Sequence, residues 1–289
     1  MIGEIFKSLR PKQWLKNLFI LAPLIFDRQL TSYLPTTRAI LGLVIFCLLS
    51  SSVYLFNDIF DFEVDKNHPA KKKRPIASGK ISIQLAAALG IILSLAALGW
   101  AFQFSKFFFA ICVFYLIINL FYSKYLKHIP IIDVMIVASG FVLRVAAGVT
   151  LIEVERFSPW LYVVTTLLAL FIGFGKRRAE LSLLATNAND HRAVFEGYTI
   201  DFLDQLITIV SGTTIVAYSL YTFSAPNLPT NNSMMLTIPF VLYGIFRYLY
   251  LIIVKESGGE PEELVIKDRP LQLAVLLWGL SILLIFYIT

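Results

Sequence analysis

Apolar runs of about 20 residues, long enough to cross a bilayer's hydrocarbon core, recur along the whole of this chain. Nothing constrains its fold more. In lipid every backbone N–H and C=O must find its partner inside the protein, so a spanning segment is a helix or a strand of a closed barrel. These runs are far too long for barrel strands and predict helices. Nine are legible, at 17–34, 38–56, 83–104, 106–122, 132–151, 158–174, 205–224, 233–254 and 271–288. Pro23, Asp27 and Arg28 interrupt the first. With 57% hydrophobic and 15% charged residues, no stretch is left to build a separate soluble domain. The expectation is an all-α polytopic membrane protein, a single transmembrane domain over residues 1–289 with nine helices.

Charge placement predicts the orientation. If nine segments cross, one side receives the amino terminus and the stretches near 57–82, 123–131, 175–204 and 255–270. These hold most of the 25 lysines and arginines, against Arg28, Arg38, Lys106 and Arg156 on the other side. Positive charge marks the cytoplasmic side. The amino terminus is therefore expected in the cytoplasm and the carboxyl terminus on the opposite side. Basic residues ahead of the first run resemble a signal peptide, but no small-residue cleavage site follows, and the run reads as a retained helix. The same orienting role accounts for the net charge of +6 without nucleic acid as a partner. Cys47 and Cys112 fall inside predicted spans and read as small packing residues.

One stretch carries most of the chemistry. Asn57-Asp58-Ile59-Phe60-Asp61-Phe62-Glu63-Val64-Asp65 places Asp58, Asp61 and Asp65 at helical spacing, on one side of a helix. A solvated acidic helix end is the bland explanation. Acids at the mouth of a membrane span are costly, however, and usually functional. Carboxylates so close repel one another unless a cation sits among them, and hard oxygen ligands suit Mg²⁺ shared with substrate phosphates. Lys72, Lys73 and Arg74 follow as phosphate donors, with Pro75 and Gly79 to bend the loop back toward the acids.

Two more stretches are candidates. Tyr122, Lys127 and Asp133 lie around the connection between the fourth and fifth runs, with Arg144 eleven residues beyond Asp133. Those last two would share a helix face, and a buried arginine needs an anionic partner or ligand. Small residues at Ala138-Ser139-Gly140 and Ala146-Ala147-Gly148 predict close helix packing. Gly173-Phe174-Gly175-Lys176-Arg177-Arg178-Ala179-Glu180 closes the sixth run with three cations after a flexible Gly-x-Gly. They serve either topology or the grip on a phosphorylated substrate. His68, His128 and His191 lack the spacing of a metal-binding helix.

The pattern Asn57-Asp58-x-x-Asp61-x-x-x-Asp65, with its spans and basic loops, resembles the UbiA-type intramembrane prenyltransferase superfamily over nearly the whole chain. Five pieces narrow the resemblance to its decaprenyl-phosphate phosphoribosyltransferase branch. They are Arg10-Pro11-Lys12-Gln13-Trp14-Leu15-Lys16-Asn17; the aspartate motif with His68-Pro69 and Arg74-Pro75-Ile76-Ala77; Tyr122 and Lys127 with Asp133; Gly140-Phe141-Val142-Leu143-Arg144; and Gly175 to Glu180. Many relatives carry a second pair of acids where only Asp133 stands here. That departure argues against ordinary prenyl transfer and for a sugar diphosphate as the metal-bound substrate.

The resemblance implies Mg²⁺ on Asp58, Asp61 and Asp65, with Asn57 orienting the ribose or completing the shell. It implies phosphoribosyl diphosphate and a polyprenyl phosphate as substrates in a bacterial plasma membrane, for a glycolipid of cell-wall assembly. Substrate contacts would come from Lys16, Lys72, Lys73, Arg74, Tyr122, Lys127, Asp133, Arg144, Lys176, Arg177, Arg178 and Glu180. A homo-oligomer is left open. The competing expectations are an aromatic prenyltransferase acting on a polyprenyl diphosphate, and a lipid transporter or scaffold without catalysis.

Overall fold

The computed structural model describes residues 2–67, 71–154, 158–185, 197–226, 228–256, 264 and 266–288. Among these residues there is no strand, and eight helices are long and apolar enough to cross a membrane. In chain order the α-helices are α1 (Ile2–Ser8), α2 (Ala22–Phe26), α3 (Tyr33–Phe60), α4 (Phe62–Asn67), α5 (Ile83–Phe104) and α6 (Lys106–Lys124). They continue with α7 (Ile132–Leu151), α8 (Pro159–Ala185), α9 (Ile200–Ser224), α10 (Ile238–Ile253) and α11 (Arg269–Tyr287). Serine and threonine caps start several of them. Ser82 accepts from the Leu85 N–H at the head of α5, Ser105 from Phe108 at α6, and Thr199 from Phe202 at α9, each satisfying an orphan donor of a first turn.

The first predicted span differs from expectation. Residues Pro11–Leu21 form a 3-10 helix and only Ala22–Phe26 are α-helical, so no single long helix forms there. The segment nevertheless runs antiparallel to α3. Trp14 donates to Ser51, Asn17 to Ser50 and Cys47, and Thr36 to the carbonyl of Leu30. A 3-10 helix rises about 2 Å per residue, so the tighter winding lengthens the segment. Ile20 lies against α7 so closely that a Cβ on Gly148 would stand 2.1 Å from the Ile20 carbonyl oxygen.

Contacts divide the chain into two compact units, Met1–Lys127 with Gly140–Val154, and His128–Ser139 with Glu155–Thr289. Helix α7 supplies residues to both. The first unit is centred on Ile45, Phe46, Leu49, Phe108, Cys112 and Tyr115; buried Cys112 is the packing residue the sequence predicts. The second is centred on Val134, Phe171, Leu203, Ile207, Ile245 and Tyr248, with the Phe171 and Tyr248 rings edge to face at 5.1 Å. Outward residues are also apolar: Ile92, Leu95 and Phe102 on α5 and Phe107 and Phe114 on α6 are exposed. Helices apolar on every side are at home in lipid, where the outer face needs no polar cover.

Asp268 fixes the start of α11. Its carboxylate accepts from the Leu271 N–H at 2.9 Å and pairs with Arg247 of α10 at 2.8 Å. The Arg247 hydrogen bond is the main cause that holds its carboxyl below the usual range. A depressed folded pKa stabilises above the unfolded value and ceases to do so as pH falls through the folded one. Two changes should follow from these contacts. Gly148→Ala should destabilise the protein by about 1–3 kcal/mol through overpacking, read as earlier thermal unfolding in detergent. Asp268→Asn should lower the unfolding temperature by a constant amount from pH 7 to about pH 4, with the difference from wild type closing only below that range.

Candidate active site

The acidic stretch forms a helix with a break. Helix α3 ends at Phe60, Asp61 caps it, and α4 begins at Phe62. The i→i−4 bonds nevertheless carry through: Asp61 N–H reaches Asn57 O at 2.9 Å and Asp65 N–H reaches Asp61 O at 2.8 Å. The spacing read from sequence therefore survives the break. Asp58 and Asp65 are both buried and turn to the same guanidinium. Arg74 donates to Asp58 Oδ1 at 3.2 Å and also to Asp65 Oδ2. Arg10 donates to Asp58 as well, its guanidinium 4.9 Å from the centre of the Tyr54 ring. Asp61 departs from the other two. It accepts from Lys127 and, at 3.3 Å, from Asn57 Nδ2.

The return of Arg74 is built by the loop after α4. Ser78 N–H binds Arg74 O at 2.8 Å, Ile81 N–H binds Pro75 O at 3.1 Å, and Gly79 takes φ +75°, a left-handed conformation suited to glycine. Ile76 and Ile81 are buried against Leu55 and Ala86, which locks the loop to α3 and α5. The expected bend toward the acids thus delivers Arg74. Lys72 and Lys73 are exposed instead, while Lys71 stands 3.9 Å from Asp65. Sequence reasoning left Arg10 and Lys71 out of the site. Arg10 sits in the Arg-Pro-Lys-Gln-Trp segment quoted for the resemblance, so its signal was present but unassigned.

Arg144 is buried in the first unit, where its partners are neutral. It donates to Asn17 Oδ1, Gly140 O and the Tyr115 hydroxyl at 2.7–2.8 Å and stacks on Tyr115 and Phe141. Asp133 lies eleven residues away on the same helix, about 16 Å along its axis, too far to pair with it directly. Lys16 and Tyr122 are half-buried.

In the second unit Asp133, fully buried, accepts from Arg177 and, at 2.7 Å, from the Tyr198 hydroxyl. Arg177 also pairs with Glu180 at 2.5 Å. Burial and the bond to Asp133 raise the Tyr198 pKa, so the hydroxyl stays a donor. The same oxygen accepts the N–H of Ile131, a β-branched residue held at φ +69°. Arg178 turns away, to Asp204 and to Ile252 O at 2.9 Å. Lys176 is half-buried. Consecutive helical residues point about 100° apart, so these three cations do not form the single patch their spelling suggests. Nor is Gly173-Phe174-Gly175 flexible: it lies within α8, where Cβ atoms would stand 2.6 Å from Val134 and 2.9 Å from Tyr248. His68, Pro69 and His191 lie outside the described residues.

Among the described residues no group of three or more His, Cys, Asp or Glu side chains is gathered closely enough to hold a metal ion. The donor chemistry still suits a hard divalent cation. Asp65 Oδ1 is buried and makes no hydrogen bond, with the Lys71 ammonium 3.9 Å away and two further aspartates beside it.

A sequence profile of the UbiA prenyltransferase family matches residues 29–258. The chain belongs to that family. It is 34% identical to a decaprenyl-phosphate phosphoribosyltransferase of Mycolicibacterium smegmatis, covering 96% of this chain and 91% of that protein. Identity to the enzyme of the same name from Corynebacterium glutamicum is 32%, over 98% and 87%. A UbiA homologue from Archaeoglobus fulgidus, solved with DMAPP and Mg²⁺, superposes with a TM-score of 0.74 at 19% identity, covering 99% of this chain and all of that one. That likeness establishes the UbiA fold, and with the eight apolar helices it makes this an integral membrane protein.

Tyr198 is the hydrogen-bonding support of Asp133 in this UbiA chain. Tyr198→Phe would leave a buried carboxylate short of one donor, a loss of about 1–3 kcal/mol. Thermal unfolding in detergent should register it as a lower midpoint.

Proposed function

We propose that the chain transfers the 5-phosphoribosyl group of phosphoribosyl diphosphate to a polyprenyl phosphate of decaprenyl type, releasing diphosphate. The observation that carries this reading is the full-length similarity to decaprenyl-phosphate phosphoribosyltransferases. The cation-rich aspartate cluster supports it, since two substrates that both carry phosphate need cations as well as a metal. A single domain over residues 1–289 belongs to the proposal, supported by a family match that includes residues of both units.

Asp58, Asp61 and Asp65 are the residues that would hold Mg²⁺, which supplies charge neutralisation for the departing diphosphate. Asp65 Oδ1, buried without a hydrogen bond and facing Lys71 at 3.9 Å, favours that assignment. Asn57, hydrogen-bonded to Asp61, orients that carboxylate. Arg74 and Lys127 sit on the aspartates and are the nearest donors for diphosphate oxygens. In the reaction the bond from ribose C1 to diphosphate breaks as an oxygen of the polyprenyl phosphate bonds to C1. That nucleophile is already anionic near neutral pH, so the residues' task is to position and neutralise charge rather than to remove a proton. Lys16, Lys72, Lys73, Tyr122, Arg144 and Lys176 are assigned to the 5-phosphate and lipid phosphate. Asp133 and Glu180 hold Arg177, and Asp204 holds Arg178, which makes those two arginines positioning groups.

The proposed setting is a bacterial plasma membrane with the amino terminus in the cytoplasm. Counting the broken segment 11–26 as a crossing would put the carboxyl terminus on the opposite side.

The test incubates purified protein with Mg²⁺, polyprenyl phosphate and radiolabelled phosphoribosyl diphosphate. Label should enter the lipid phase, and Asp58→Asn or Asp61→Asn should reduce it roughly a hundredfold or more. Absence of lipid label together with turnover of geranyl diphosphate and an aromatic acid would establish aromatic prenyl transfer instead.

A further inference from the structure

Residues 2–18 carry an apolar surface that the first unit leaves open. On α1, Ile5 and Leu9 pack on the cluster of Leu55, Ile76, Ile81 and Ala86. Ile2 and Phe6 continue the same apolar arc, one turn apart, and are 82% and 56% exposed. Lys7, about 100° further round the helix, is exposed too. The Pro11–Leu21 segment repeats this order along its axis. Side chains three apart eclipse in a 3-10 helix, and each residue rises about 2 Å. Lys12, Leu15 and Leu18 therefore form one stripe, all three exposed, with Lys12 at one end and Leu18 about 12 Å along it. Phe6 and Trp14 join the two pieces edge to face at 6.2 Å. Ser51 of α3 holds both, accepting from Trp14 and donating to the Leu9 carbonyl.

A surface that sets lysines beside apolar side chains, with an aromatic pair between, suits the boundary of headgroups and acyl chains. We propose that residues 2–18 form an interfacial anchor for anionic lipid, in which Ile2, Phe6, Leu15 and Leu18 enter the acyl boundary while Lys7 and Lys12 pair with lipid phosphates. Charge favours that occupant. The stretch carries four cations, Lys7, Arg10, Lys12 and Lys16, against one acid, Glu4, which Lys80 already holds at 2.9 Å. Juxtamembrane cations of this kind are drawn to a negative leaflet. The stripe also has the right direction, a cation at one end and leucines toward the other. The anchor has a consequence inside the protein. Ile5 and Leu9 lie on the plug that seats the 74–81 loop, so lipid gripping one side of α1 steadies that loop from the other. Neither the sugar nor the polyprenyl phosphate takes part in this anchoring.

Hydrogen exchange of the full chain in lipid nanodiscs tests this, comparing phosphatidylcholine alone with a mixture containing about one-third phosphatidylglycerol. The amides to follow are those of residues 5–9 and 78–81, among them the Leu9 and Ile81 N–H groups bonded to Ile5 and Pro75. Both sets should exchange roughly tenfold more slowly in the anionic discs, and added salt should shrink the difference. Lys7→Gln combined with Lys12→Gln should erase it, with thermal unfolding in phosphatidylcholine unchanged. Ile2→Ser combined with Phe6→Ser should speed exchange at 5–9 in both membranes. Equal exchange of the wild type in the two membranes would overturn the inference, with no variant needed. So would a double lysine variant that keeps the full difference. Protection that ignores lipid charge but follows the number of copies per disc would assign this face to a second copy of the chain instead.

Discussion

Arg74 reaching both Asp58 and Asp65 is the interaction on which the functional end of the first unit depends. The two acids lie on different helices, α3 and α4, on either side of the break at Asp61. One guanidinium ties them together and draws the 74–81 loop down over the end of α3. Two carboxylates this buried would be prohibitive without cations, because desolvation penalises the charged form. The hydrophobic plug of Ile76 and Ile81 supplies the position, and the ion pairs offset the cost of burying the acids there.

The second unit solves the same problem with different parts. Asp133 has no second acid near it in sequence, yet Glu180 joins it through Arg177. Helix α8 brings that acid into reach because Arg177 and Glu180 lie on one face, three residues apart. The glycines before them let Val134 and Tyr248 pack against the backbone of α8, so the helix carrying the cations is seated rigidly. Arg177 lies between two carboxylates, and Arg178 joins Asp204 to the Ile252 carbonyl. That separates Arg177 and Arg178, both ion-paired, from Lys176, which is half-buried beside them.

Much of the fold was legible because lipid leaves so few choices. Length and hydropathy alone marked the eight long helices, and the Asn57–Asp65 motif announced a charged cluster at a membrane boundary. The first span was misjudged because hydropathy records burial and not winding; the close contact of Ile20 with Gly148 is a tertiary fact. The Gly-x-Gly of α8 looked flexible for the same reason. Glycine permits both flexibility and close approach, and only the neighbour decides between them.

The sequence by itself determined an all-helical membrane chain of the UbiA type, with three aspartates at helical spacing. Both follow from local rules, the bilayer's demand for satisfied backbone and the periodicity of a helix. Only the tertiary structure decided which cation meets which acid. Lys72 and Lys73 stand exposed beside Arg74, while Arg10 and Lys127 arrive from remote parts of the chain. Charge is spelled locally, but an ion pair is fixed by distance in space. That distance is set by packing of the helices and loops that carry the two partners.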